Sequence, residues 1–168
     1  MCNKKNIILD MDSIDFQNIY IMEPIKNTII PNGEFRRIIY SSHYMTLNNI
    51  TLHLKIPNAK IQKYYQKYKC FLTDDLTTDV QFLIDLEDHI LQNTHHCFKH
   101  RKANLLEQIR NGFIKFFYTD EGNYANSVFY NKNSNIITKS ESFTLQIKIS
   151  GIWETEDEYG VTYKVTSL

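Results

Sequence analysis

No stretch of the 168-residue sequence approaches the roughly 18 consecutive apolar residues that a membrane-spanning helix requires, so no transmembrane segment is expected. Cysteine is scarce. Cys2, Cys70 and Cys97 are odd in number and scattered, which reads as reduced thiols and argues against a disulfide framework. Three prolines and five glycines leave no linker and no low-complexity tract, and no internal repeat is present. Net charge is also missing: 19 Lys and Arg balance 19 Asp and Glu, which argues against indiscriminate polyanion binding but permits one basic face. GxGxxG, P-loop, GxSxG and HExxH patterns are all absent, so nothing in the sequence advertises an enzyme or a cofactor. The apolar stretch in "MCNKKNIILDMDS" is too short, and too closely followed by carboxylates, for a signal peptide, so an intracellular location is expected.

What is present is a biased but ordinary globular composition. Hydrophobic residues make up 42% and charged residues 23%, enough apolar material for a real core and too much for a disordered chain. The chain is expected to be one domain over residues 1–168, with residues 1–15 a loose N-terminal segment. Ile, Asn, Lys and Tyr are abundant while Ala numbers three and Arg four, a bias toward A/T-rich codons that points to an A/T-rich genome. Charge is unevenly spread. Residues 1–69 carry ten cations and five carboxylates, and residues 70–98 carry six carboxylates and no Lys or Arg. Residues 99–115 are basic again, and residues 116–168 are mildly acidic.

Periodicity predicts strands, then helices, then strands. "NTIIPNGEFRRIIYS" reads as two β-prone runs around the turn Pro31-Asn32-Gly33. In "ITLHLKI", Ile50, Leu52, Leu54 and Ile56 point one way and Thr51, His53 and Lys55 the other, a half-buried strand in a meander with the strand of Tyr40. "KIQKYYQKYKCFL" fits a helical stripe as well as a strand face, and its β-rich neighbourhood favours strand. "TTDVQFLIDLEDHILQN" carries the broad apolar stripe of an amphipathic helix over about 79–92, capped by Thr78 or Asp79. A shorter helix is expected over about 103–111, stopped by Gly112. Strands then return: a hairpin around Thr119–Gly122, then "SFTLQIKISGIW" and "GVTYKV" with Leu145, Ile147, Ile149, Val161, Tyr163 and Val165 inward. The fold class is α+β, mainly β, with an OB-like small barrel or meander sheet as the natural closure.

Candidate sites are weighed against plainer explanations. His95, His96, Cys97 and His100, with Cys70 in support, have the residue types of a zinc site but no paired ligand spacing, so no metal is expected. Asp74, Asp75, Asp79, Asp85, Glu87 and Asp88 alternate with the helix stripe as a solvent face does, which disfavours paired acid/base catalysis. Aromatics mixed with cations carry the stronger signal: "EFRRIIYSSHY", "KIQKYYQKYK" and "KFFY" have the composition that holds single-stranded nucleic acid, where cations follow phosphates and rings stack on bases. The plainer reading is that most of these rings are core.

Three stretches together resemble the single-stranded DNA-binding proteins of large eukaryotic DNA viruses: "GEFRRIIYSS", "FLIDLEDHIL" and, most specifically, "LQIKISGIWETEDEYGVTYKV". The matching positions of the last are Gly151, Ile152, Trp153, the acidic turn Glu154–Glu158, Gly160, Val161, Thr162, Tyr163 and Lys164. The resemblance implies an OB-like barrel that coats single strands in viral replication or recombination. On that reading Arg36, Arg37, Lys55, Lys63, Lys67, Lys99, Arg101 and Lys102 are expected to contact phosphates, and Tyr40, Tyr44, Tyr65 and Phe117 to stack on bases. The expected partner is single-stranded DNA or RNA, with a homo-oligomer or replication proteins as further partners and no membrane. The alternative is a non-enzymatic structural or interaction module on the same fold. Trp153, beside four carboxylates, is expected to plug the core or barrel end while nucleic acid binds elsewhere.

Overall fold

The computed structural model describes residues 7–73, 77–94, 99–118, 136–138 and 142–168, the backbone alone for 136–138. His95, His96 and Cys97, weighed as zinc ligands with no metal expected, the acids Asp74 and Asp75, and the hairpin expected around Thr119–Gly122 fall outside the described residues. The fold is α+β and mainly β. Strands β1 (Ile19–Lys26), β2 (Glu34–Ser41), β3 (Thr46–Leu47), β4 (Ile50–Ile56), β5 (Lys60–Tyr64) and β6 (Lys67–Phe71) precede helix α1 (Thr77–Gln92). β7 (His100–Lys102), α2 (Asn104–Arg110), β8 (Phe113–Phe116), β9 (Ile136–Thr138), β10 (Phe143–Glu154) and β11 (Glu158–Ser167) follow.

β10 organises the larger sheet. One of its edges pairs with β11; the other pairs with β4 over Phe143–Ile149 and then with β2 over Gly151–Glu154. β2 continues to β1 and β3, and β11 to a parallel β7. The smaller sheet runs β8-β6-β5-β9. The two meet where Phe117 bridges Thr166: Phe117 N–H donates to the Val165 carbonyl and Ser167 N–H to the Phe117 carbonyl, both at 2.9 Å. Among the described residues these are open sheets rather than a closed barrel. The physical reason is the length of β10, which takes β4 and β2 in tandem along one edge, so the sheet runs on to β1 instead of curling back. For the same reason β2 and β4 are not neighbours in a meander.

Strand alternation puts the expected residues inside. Ile50, Leu52, Leu54 and Ile56 are fully buried, as are Leu145 and Ile147. A bulge between Ile149 and Gly151 resets the phase of β10 and keeps Ile152 in the core. α1 begins at Thr77 and presents Leu83, Leu86, Ile90 and Leu91 to this core. The loop before β2 is longer than the sequence suggests: the Asn27 side chain accepts from the N–H groups of Ile29 and Ile30, which ends β1 at Lys26 and turns Thr28 to Gly33 into the connection. The N-terminal segment is docked rather than loose over its described part. Leu9 is buried and bridges Leu52, and the Phe16 ring lies 5.5 Å from that of Phe82.

α2 has no side-chain cap of its own; Ala103 stands at its start. Glu87, buried on α1, supplies the missing acceptor, its Oε1 taking the N–H of Leu105 at 3.1 Å and its Oε2 that of Leu106 at 2.8 Å. Burial pushes the Glu87 carboxyl above its ordinary value of 4.5, against the opposing pull of those two N–H groups. A carboxyl with a raised folded-state pKa binds more protons folded than unfolded, so its contribution to stability falls as pH rises through that window. Wild type is therefore expected to gain stability relative to Glu87→Gln as pH is lowered from neutrality to 4.5, with no further gain below, in urea titrations across pH. Glu87→Ala, which orphans both N–H groups, is expected to cost about 2–4 kcal/mol at any pH.

Candidate nucleic-acid interface

The turn between β5 and β6 decides which rings face outward. It is only two residues long, and Tyr65 adopts a left-handed φ of 53°. Asparagine tolerates that region and bulky residues rarely do, so an 83% exposed tyrosine held there is a strained and conspicuous feature. Beyond the turn Tyr68 and Cys70 point into the core, with Ile61 opposite Cys70. Tyr64, Lys67 and Lys69 consequently lie on the outer face. On β8 the same alternation buries Ile114 and Phe116 and leaves Phe113, Lys115 and Phe117 outside.

Register then brings two lysines together. Lys69 stands directly opposite Lys115 on neighbouring antiparallel strands, a like-charge pairing that is normally unfavourable. Rings soften it. The Lys69 ammonium lies 4.3 Å from the Tyr64 centroid and 4.4 Å from that of Phe113; the Lys115 ammonium lies 5.0 Å from Tyr64. Lys67 sits over Phe117 at 4.8 Å. Behind this surface Gln108 of α2 fixes the strand that carries Lys115: its Oε1 accepts the Lys115 N–H at 2.8 Å while its Nε2 donates to the Tyr163 hydroxyl at 2.6 Å. Burial pushes the Tyr163 phenol up, against the opposing pull of that bond, so it stays neutral.

The face continues onto the larger sheet, because Phe117 and Thr166 are partners across the junction. There Lys148 stands opposite Lys164, Arg37 opposite Gly151, and Phe35 opposite Trp153. Arg37, Lys67, Lys69, Lys115, Lys148 and Lys164 form no ion pair with a described carboxylate. Next to Lys67, a groove of about 650 Å³ opens between the β1–β2 connection and Trp153.

Of the residues named from sequence, the structure brings Arg37, Lys67 and Phe117 onto this face, with Tyr65 at its rim. Tyr40 is 4% exposed and belongs to the core, so it is not available for stacking. Arg36 points to the opposite side of β2 and pairs with Glu154 at 3.4 Å. The cations of residues 99–102, expected to contact phosphates, are likewise engaged with carboxylates. Lys99 reaches Glu154 at 2.5 Å and the Thr155 carbonyl at 2.8 Å, Arg101 pairs with Asp88, and Lys102 pairs with Glu158 at 3.0 Å. Lys55 lines a separate recess with Asp10, Asp12 and Asp79, Lys63 turns to the side opposite Lys69, and Tyr44 is exposed in the β2–β3 connection against His43. The acidic run is a turn, as expected, but Glu154 and Glu158 within it are neutralised by these cations. Trp153 lies outside the core cluster, on the outer face.

Tyr64, Lys69, Phe113, Lys115, Lys148 and Lys164 were not singled out as contacts from sequence. The signal was available in "KYK" and "FIKFF", where alternation alone puts Lys67 with Lys69 and Phe113 with Lys115 and Phe117. Among the described residues no group of three or more His, Cys, Asp or Glu side chains is placed to hold a metal ion, and no helix is long and apolar enough to cross a membrane. No family model, no curated protein and no solved structure matches the chain.

Proposed function

We propose that the protein binds single-stranded DNA without sequence preference, on the outer face that Lys69 and Lys115 define. The observation that supports this is the opposed lysine pair, seated on Tyr64 and Phe113 with no described carboxylate to neutralise it. Two cations held against their mutual repulsion favour an anion between them. Tyr65 and Phe117 at the edge of the same face, 83% and 39% exposed, offer π surfaces to unstacked bases. A π face accepts any base, which is why sequence preference is not expected. The choice of DNA, and of viral replication or recombination as the setting, rests on the resemblance of "GIWETEDEYGVTYK" to viral single-strand binders.

Fluorescence anisotropy with labelled dT oligonucleotides at several salt concentrations is the test. Binding is expected to weaken with salt at a log–log slope of about −0.7 per phosphate neutralised, so six cations give a slope no steeper than about −4. Absence of binding at micromolar protein and low salt contradicts the proposal.

A second reading draws on β1, whose outer edge is unpaired among the described residues and whose Tyr20, Met22 and Ile25 are exposed. In that reading the chain is a non-enzymatic structural or interaction module. Discrete oligomers in light scattering, together with no oligonucleotide binding, select it.

A further inference from the structure

We propose that the groove beside Trp153 is a binding site for one nucleotide unit, its base against the Trp153 and Phe35 rings and its phosphate on Lys67. This rests on the single-strand reading above but makes a separate claim, that one base leaves the open face and enters a pocket. The groove, at about 650 Å³, has the size of a small-molecule site. Its floor is aromatic for a sequence-encoded reason. Phe35 and Trp153 are cross-strand partners, and each rests on a glycine of a neighbouring strand: an added Cβ would lie 2.4 Å from the Phe35 ring at Gly151 and 2.9 Å from the Trp153 ring at Gly160. Only hydrogen at those two positions lets the rings settle against the sheet, leaving the space above them open.

Charge narrows the ligand. The groove lining includes Lys26 and Lys67 and no carboxylate. Asn27, Thr28, Asn104, Ser150 and Thr162 add polar groups to a wall whose exposed surface is mainly apolar. An apolar planar body with an anionic end fits this combination. Lys67 ties the pocket to the strand-binding face, since the same ammonium that borders the groove lies 4.8 Å from the Phe117 centroid. The nucleotide can therefore come from a bound strand or from free solution, with the same recognition chemistry.

Trp153 is the only tryptophan, so its emission, excited selectively beyond the absorption of the tyrosines, reports on the groove. The probes are thymidine monophosphate and a dT 20-mer, each followed by Trp153 emission, with anisotropy of the labelled 20-mer in parallel. Saturable quenching by both is expected and assigns the site to a strand nucleotide; quenching by the monophosphate alone assigns it to a free nucleotide. Ile29 lines the groove and is 89% exposed, so Ile29→Glu leaves the fold intact while putting a carboxylate at the mouth. It is expected to weaken monophosphate quenching about tenfold or more, equivalent to about 1.4 kcal/mol. If the 20-mer binds by anisotropy while Trp153 emission stays unchanged with both probes, the groove assignment is overturned and the single-strand reading survives. If the monophosphate quenches but the 20-mer does not bind, the single-strand reading falls and the groove remains. Quenching insensitive to Ile29→Glu also overturns the assignment.

Discussion

Reversing Lys69 and Lys115 together to glutamate is expected to weaken single-strand binding about 100-fold at low salt, roughly a tenfold loss per charge. Two phosphate contacts disappear, so the salt dependence should flatten by about 1.4 log units per decade. The fold should survive, because both side chains lie on the outer face of their strands and contact rings rather than core. The single change Lys115→Glu gives the sharper contrast. It replaces a like-charge cross-strand pair by an opposite one, so stability should hold or rise by about 0.2–1 kcal/mol while affinity falls. Arg101→Ala is the control: Arg101 is already paired with Asp88, and affinity should change less than about twofold. Anisotropy titrations and thermal melts of the three variants are sufficient. Equal losses in the Lys115 and Arg101 variants would mean that binding follows overall charge rather than this face.

Glu154→Ala is expected to cost about 3–5 kcal/mol of stability. The Glu154 carboxylate is 4% exposed and lies between the Arg36 guanidinium at 3.4 Å and the Lys99 ammonium at 2.5 Å. Its removal leaves two partly buried cations facing each other, a worse arrangement than a neutral core would be. It also loosens the attachment of residue 99 beside the short β7, which pairs with β11 over only three positions. Urea denaturation measures the loss, and a change below about 1 kcal/mol would show that the pair is a solvated surface contact. Glu154→Gln should fall between, since an amide oxygen still accepts from one cation. The consequence for function is indirect. This cluster absorbs Arg36 and Lys99 into structure, so the strand that supplies Arg37 and Phe35 to the outer face is held in register.

The strands and helices were largely legible because burial imposes a period. Ile50 to Ile56 and Leu145 to Ile149 alternate as half-buried strands must, and the stripe from Leu83 to Leu91 has helical spacing. Gly112, with φ of 75°, stops α2 as a glycine there should. The open sheets were less legible, since the sharing of one β10 edge by β2 and β4 is a long-range pairing that local pattern does not encode. The candidate site was half legible. Composition pointed to the lysine and tyrosine run, but facing depends on the Tyr65 turn, which inverts the phase between Tyr64 and Tyr68. Which cations are already neutralised depends on contacts such as Glu154 with Lys99, 55 residues apart in sequence, and no local reading reaches that far.

Photocrosslinking of a dT oligonucleotide carrying 5-iodouracil, followed by mapping of the modified peptides, tests the proposed face most directly. Adducts are expected on Tyr64, Tyr65 and Phe117, and they should diminish in the Lys69/Lys115 double variant. Adducts confined to Tyr44 or to residues 99–102, with none on Tyr64, Tyr65 or Phe117, would contradict the assignment of this face.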